Sequence, residues 1–104
     1  MIYIKLHDTE NGKLLALCDK SLIGSIIEEG DIFIDLKNYA DFYMGDLINT
    51  NELAKKISLQ DIYSANIVGE ESVSAAIDSK IIKKSGVKRL KSGIMYAHAY
   101  KIIQ

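Results

Sequence analysis

Proline is absent from this sequence of 104 residues, and cysteine occurs only once. Without proline, the chain offers neither a cis-proline turn nor a proline-rich ligand segment. Cys18 cannot form an internal disulfide, which is typical of a protein in the reducing cytoplasm. No window approaches the roughly 18 apolar residues of a membrane span, and residues 1–5 lack the pattern of a secretory signal. We therefore expect a cytoplasmic protein without a membrane partner.

Acidic residues are missing from the last 25 positions. The first 79 residues carry six cations and all 14 acids, a net charge of −8, whereas residues 80–104 carry six Lys and one Arg, a net charge of +7. The whole chain has a net charge of only −1, so this separation is invisible in its composition. Such an asymmetry between segments is typical of a basic interaction surface.

The remaining composition is that of a folded domain. Hydrophobic residues make up 48% and charged residues 26% of the chain, which excludes a disordered or collagen-like protein. The length predicts a single domain over residues 1–104. Ile2, Ile4 and Leu6 alternate with polar positions, as in a half-buried strand. Asn11-Gly12 predicts a tight or slightly wider turn, with Lys13–Cys18 as the returning strand of a β-hairpin.

Two helices and further strands follow along the chain. Asn49 and Glu52 have the spacing of a capping box and predict a short helix through Ile57, while Gly69 precedes a second helix with Glu70 in its first turn. Strands are predicted at Ile32–Leu36 and 64–68, and a long final strand at Ile94–Ile103. The expected fold is α+β, with a small antiparallel or mixed sheet and two main helices.

Several short motifs together resemble the DUF424 family of small archaeal proteins, which has no assigned function. In chain order they are Cys18-Asp19, Glu29-Gly30-Asp31, Phe42-Tyr43, Asn66-Ile67-Val68-Gly69-Glu70 and Ala97-His98-Ala99. The correspondence runs nearly from end to end. The resemblance implies a small α+β domain from an archaeal cytoplasm and marks four positions without known roles, namely Asn66, Gly69, Glu70 and His98.

The chain departs from the family pattern at two places. Met44 stands where the family usually has the first of two glycines, and Gly45 keeps the second. Met95-Tyr96 replaces the proline that precedes His98 and changes the spacing.

Catalytic and metal-binding signatures are not evident. The seven glycines form neither a phosphate loop nor a dinucleotide fingerprint. His7, His98 and Cys18 lack the spacing of metal ligands, so no metal and no cofactor are expected. Cys18 could pair with His98 as nucleophile and base, but a buried, inert thiol is the more common state of a lone cysteine.

The Gly69-Glu70 junction permits two interpretations. A helix N-terminus can bind an anion, yet Glu70 and Glu71 already carry negative charge there. We favour a structural role, in which Asn66 satisfies local backbone groups and Gly69 provides the tight turn into the helix.

The final strand carries an aromatic stripe beside a cluster of cations. Alternation places Tyr96, His98 and Tyr100 on one face and the small residues on the other, where a helix can pack closely. Stacking on such a stripe, with cations nearby for phosphates, is how sheet-based modules hold single-stranded nucleic acid. The candidate nucleic-acid-binding residues are Lys83, Lys84, Lys88, Arg89, Lys91, Tyr96, His98 and Tyr100. In the alternative interpretation, the tyrosines cover the core and the lysines form a solvated face that pairs with the acidic part.

The function expected from the sequence is a non-enzymatic binding module for RNA or a ribonucleoprotein, engaged through the basic C-terminal segment. One alternative is a protein–protein adaptor or a homo-oligomeric protein, in which that segment meets an acidic partner or a second copy. The other is a small enzyme centred on His98 with Asn66 or Glu70.

Overall fold

The structure is a computed structural model, and it describes residues 1–102. Its strands are β1 (Ile2–Thr9), β2 (Gly12–Asp19), β3 (Ile26–Glu29), β4 (Ile32–Asp35), β5 (Asp46–Ile48), β6 (Ile62–Val68), β7 (Lys88–Arg89) and β8 (Met95–Ala99). Its helices are α1 (Leu53–Ile57) and α2 (Glu70–Asp78). Neither helix in residues 1–102 has the length and apolar character that crossing a membrane requires.

Six strands form one mixed sheet in the order β5-β1-β2-β6-β8-β7. The central pair β2 and β6 is parallel, and all other neighbours are antiparallel. The strands β3 and β4 form a separate two-stranded hairpin. The fold is therefore α+β with a mixed sheet and two helices, as the sequence predicts.

The N-terminal hairpin is confirmed, but its turn lies one residue earlier than expected. Eight residue pairs join β1 to β2, and the last pair is Thr9 with Gly12. Glu10 and Asn11 are therefore the two turn residues, and Gly12 belongs to the strand. The sequence pattern does not distinguish a turn at Glu10-Asn11 from one at Asn11-Gly12, because both leave the alternation within β1 unchanged.

Both faces of the six-stranded sheet are covered. One side, which we call the helix face, carries Leu15, Leu17, Ile67 and Ala97, and packs against both helices in one apolar cluster. The other side, the hairpin face, carries Ala16, Cys18, Val68 and Tyr96, and packs against the β3–β4 hairpin and the loop around Tyr43 in a second cluster. Alternating apolar and polar residues predict strands with one buried face, whereas β2 and β6 bury side chains on both faces of the sheet.

The capping box before the first helix is confirmed. The backbone N–H of Asn49 donates to Glu52 Oε1 at 2.9 Å, and a turn of 3₁₀ helix then leads into α1. The final strand is shorter than predicted, since β8 ends at Ala99 and Lys101 adopts a positive φ of 52°. The remaining part of the predicted strand includes Ile103, which lies outside the described residues.

Candidate nucleic-acid interface

The N-terminus of α2 is capped by a residue from another strand. Asp19, at the end of β2, is 95% buried, and its carboxylate accepts hydrogen bonds from the backbone N–H groups of Glu71 at 3.1 Å and Ser72 at 2.8 Å. The Ser72 hydroxyl also donates to Asp19 Oδ1 at 2.8 Å. The first turn of a helix leaves N–H groups without partners inside the helix, and Asp19 supplies their acceptor. The anion niche at this helix is therefore occupied by the chain's own carboxylate.

Gly69 is required by this cap. Its φ is 109°, and a Cβ atom built on it would lie 2.2 Å from Asp19 Cγ. A side chain at position 69 would therefore displace Asp19 from α2, in addition to the strain of its backbone conformation. The structural role predicted for Gly69 is confirmed, and the motifs Cys18-Asp19 and Gly69-Glu70 are two parts of one cap.

The structural role predicted for Asn66 is wrong. Asn66 lies in the middle of β6, outside any turn, and is half-buried on the hairpin face. Its side chain makes no hydrogen bond with any residue in the range 1–102. Its cross-strand partner in β8 is His98, which is exposed. Two polar side chains therefore lie side by side on this face, and neither forms a side-chain hydrogen bond within the described part of the chain.

The hairpin face also carries a cation and an aromatic ring beside this pair. Lys88 of β7 is the register partner of Tyr96 in β8, so the two share a face with His98. The rings of Tyr96 and His98 meet edge to face, with centroids 6.0 Å apart. Tyr96 also packs against the apolar cluster of the hairpin face, so it covers the core as the alternative interpretation holds. Tyr100, in contrast, is 77% exposed beyond the end of the strand.

The eight candidate residues do not form one surface. Arg89 pairs with Met95 and donates to its sulfur at 3.3 Å, which places Arg89 on the helix face. Lys84 lines the same cleft as Arg89, beside α2. Lys91 lies in the loop before β8, where its backbone N–H donates to the Glu29 carboxylate. The two residues of β7 were too few for any alternation to indicate which cation lies on which side.

Three of the remaining candidates line a cationic cleft at the end of β8. The cleft has a volume of about 520 Å³, and its lining includes Lys83, His98 and Tyr100. Lys80 and Lys101 contribute two further cations, and within residues 1–102 no acidic residue lines the cleft. Sequence reasoning missed Lys80 and Lys101, although both belong to the acid-free segment that the charge count had marked.

A separate cleft of opposite charge is lined in part by α2. It has a volume of about 570 Å³, and its lining contains the carboxylates of Glu70, Glu71 and Asp78 but no lysine or arginine. The charge separation along the sequence is therefore also a separation in space, between an acidic cleft and the cationic cleft.

The ion pairs in the described part of the chain lie outside the C-terminal cationic segment. The ion pairs within residues 1–102 join the N-terminal amine to Glu71, Lys13 to Asp8 and Lys56 to Asp46. None involves a lysine or arginine from position 80 onward. Within residues 1–102, the structure therefore contains no ion pair between these lysines and the acidic part of the chain.

The structure brings together one of the two residue pairs named for a possible enzyme and separates the other. Asn66 and His98 are cross-strand partners, but Glu70 and His98 line different clefts. Burial and the nearby Asp19 charge raise the pKa of Cys18 to about 12, so its thiol is protonated at neutral pH. No group of three or more His, Cys, Asp or Glu side chains suited to a metal ion is found in residues 1–102.

Comparison with known proteins agrees with the fold. A crystal structure of an uncharacterized conserved protein from Methanopyrus kandleri matches with a TM-score of 0.78 and 23% sequence identity, covering 99% of this chain and 93% of that one. No curated protein matches. The model of the family described as "Protein of unknown function (DUF424)" matches residues 7–102. Since that range includes nearly the whole chain, the protein belongs to the DUF424 family.

Proposed function

We propose that this protein is a non-enzymatic module that binds single-stranded RNA, alone or within a ribonucleoprotein, through the part of the sheet formed by β6, β7 and β8. The observation that carries the proposal is the side-by-side placement of Asn66 and His98 on the hairpin face, beside the exposed Lys88 and without side-chain hydrogen bonds to other residues in the range 1–102. An amide and an imidazole can hydrogen-bond to base edges, and a lysine can neutralise a phosphate.

The adjacent cleft supports the same interpretation. Tyr100 is exposed at its border and offers a ring on which a base can stack, which contributes about 1–3 kcal/mol per base in known single-strand-binding proteins. Lys83 lines the same cleft, which has no acidic lining residue among those that the structure describes. A single strand that crosses β8 from Lys88 toward the cleft would meet cations at both ends and polar or aromatic side chains between them.

The structure provides a matched pair of cations for testing the proposal. Lys88 and Arg89 are neighbours, both exposed, but Lys88 shares the hairpin face with Tyr96 whereas Arg89 lies on the helix face. Fluorescence anisotropy with a labelled, unstructured oligoribonucleotide should show binding that weakens with salt. Lys88→Ala should weaken this binding at low salt and lower the slope of log K against log[salt] by about 0.7, the value for one contact to a single-stranded phosphate.

Arg89→Ala should leave the affinity within about twofold, because a cation on the opposite face contributes only long-range attraction, which salt screens. Equal losses for both variants would indicate non-specific attraction and would contradict the proposed face. The absence of RNA binding by the wild-type protein at low salt would end the proposal.

A second candidate function is self-association or binding to an acidic protein. The observation in its favour is the presence of two clefts of opposite charge, the acidic cleft with Glu70, Glu71 and Asp78 and the cationic cleft with Lys80 and Lys83. Two copies could therefore oppose clefts of opposite charge. Sedimentation velocity at low and high salt tests this, since a dimer held by charge should dissociate as salt is added.

We also infer a cytoplasmic location. The single cysteine is a free, buried thiol, which fits a reducing compartment. Detection of the tagged protein in the soluble cytoplasmic fraction of its source cell would support this inference, and its recovery with the cell envelope would contradict it.

A further inference from the structure

Two lysines of the cationic cleft have an uncommon backbone conformation. Lys80 has a φ of 63° and Lys101 a φ of 52°, and within residues 1–102 these are the two residues other than glycine with positive φ. Both line the same cleft. The left-handed region is unfavourable for a residue with a Cβ atom, and such residues are found mostly where the surrounding structure or a function requires them.

The position of Lys80 is one that glycine usually occupies. Lys80 follows the C-terminus of α2, where its N–H donates to Ile77 O at 3.0 Å and the next N–H, of Ile81, donates to Ala76 O at 2.9 Å. This pair of hydrogen bonds is the Schellman motif, which commonly ends a helix on a glycine in the left-handed region. Position 80 therefore carries a long cationic side chain, although its backbone conformation favours a residue without a side chain.

Lys101 occupies a comparable position beyond β8. The N–H of the following residue, Ile102, donates to Tyr63 O at 2.9 Å, so the chain rejoins β6 directly after the left-handed residue. A glycine at position 101 would make this change of direction with less strain. Favourable interaction with the negative end of the α2 dipole could account for a lysine at position 80, but Lys101 does not follow a helix.

We propose that the cleft formed by Lys80, Lys83 and Lys101 binds a phosphate group. Lys80, Lys83 and Lys101 all line this cleft, no acidic residue lines it among residues 1–102, and Ser85 and the exposed His98 line it as well. Each lysine offers up to three N–H donors to the oxygens of a phosphate, and none is held by an ion pair within residues 1–102.

The phosphate could belong to the backbone of a bound RNA or to a free pyrophosphate. Only the first source rests on the proposed function, so the two sources can be tested separately. The probes are inorganic pyrophosphate and a short single-stranded oligoribonucleotide, each titrated into ¹⁵N-labelled full-length protein while amide shifts are recorded.

The informative variants are Lys80→Gly and Lys101→Gly. Glycine removes the ammonium group while accepting the same backbone conformation, so both variants should fold. Lys55→Ala is the control, because Lys55 is an exposed lysine of α1 that makes no ion pair in the described part of the chain. Pyrophosphate should shift the amides of residues 80–86 and 98–102 in the wild type and in the control, and each glycine variant should bind it several-fold more weakly.

Pyrophosphate shifts at these positions that are lost in both glycine variants would support the phosphate site, even if the oligoribonucleotide does not bind at all. Weaker binding of the oligoribonucleotide by the glycine variants would identify the phosphate as part of RNA. Unchanged pyrophosphate binding in Lys80→Gly and Lys101→Gly, or no shifts in the wild type, would overturn the inference while leaving RNA binding by the hairpin face intact.

Discussion

The buried carboxylate of Asp19 accepts hydrogen bonds from both the backbone N–H and the hydroxyl of Ser72, each at 2.8 Å, across 53 positions of sequence. This contact joins the end of β2 to the first turn of α2. Because β2 and β6 are parallel neighbours, the chain leaves both strands at the same edge of the sheet. Asp19 therefore lies where α2 begins directly after β6, and it takes the place of a capping side chain that Gly69 cannot provide.

Replacing Asp19 should destabilise the fold. Asp19→Ala leaves buried N–H groups without acceptors, and we expect the free energy of unfolding to fall by about 1–3 kcal/mol. Urea denaturation followed by circular dichroism measures this change. Asp31→Ala is the matched control, since Asp31 is exposed and makes no hydrogen bond through its side chain in residues 1–102. Equal stability of the two variants would refute the role given to the cap.

Gly45 should not tolerate even a methyl group. A Cβ atom at this position would lie 2.2 Å from the backbone oxygen of Ile4, so Gly45→Ala should push the chain away from β1 and destabilise the protein by about 2 kcal/mol or more. Gly86→Ala serves as the control, because a Cβ atom there would have nothing within 4 Å and the φ of Gly86 is not in the left-handed region. That variant should be neutral or slightly more stable. Similar urea midpoints for the two variants would contradict the close approach.

Removing the Lys80 side chain should stabilise the protein. Glycine relieves the strain of the left-handed backbone, although it also gains freedom in the unfolded chain, and we expect a net gain of about 0.5–1 kcal/mol from Lys80→Gly. Lys83→Gly tests whether relief of backbone strain is the cause. Lys83 has an ordinary φ of −102°, so the same substitution should lower stability there. Thermal unfolding of both variants gives the comparison. A loss of stability in Lys80→Gly would show that the lysine contributes more to folding than its backbone strain removes.

Stability should fall in alkaline solution partly because of Cys18. Burial raises the pKa of its thiol from 9.0 to about 12, so the unfolded chain releases this proton at lower pH than the folded one. The stability that comes from keeping the Cys18 thiol protonated is fully present below about pH 9, and it is lost as the pH rises toward 12. The free energy of unfolding should therefore decline more steeply in the wild type than in Cys18→Ala between about pH 9 and pH 11. Parallel pH profiles would show that Cys18 ionises equally in both states.

Local patterns in the sequence were sufficient for much of the fold. The alternation around Ile4 indicated β1, and the spacing of Asn49 and Glu52 indicated the cap that the structure contains. Gly69 before an acidic first turn correctly indicated the start of α2. Each of these signals depends on residues that are close together in the sequence, so it can be recognised without knowing the rest of the fold.

Contacts between distant segments could not be derived in the same way. The pairing of Asp19 with Ser72 depends on β2 and β6 being neighbours, and nothing near either residue specifies that pairing. The role predicted for Asn66 was wrong because an asparagine shortly before a helix usually serves the local backbone, whereas here β6 continues past it. The separation of Lys88 from Arg89 depends on a register of two residue pairs, which no periodicity can reveal.

The most direct test of the proposed function is a titration of ¹⁵N-labelled protein with a single-stranded oligoribonucleotide at low salt, followed by amide shifts. We predict that the largest shifts occur at residues 64–68 and 95–100, near Asn66 and His98, and that they decrease as salt is added. The absence of shifts at low salt, or shifts confined to the acidic cleft around Glu71 and Asp78, would contradict RNA binding by the hairpin face.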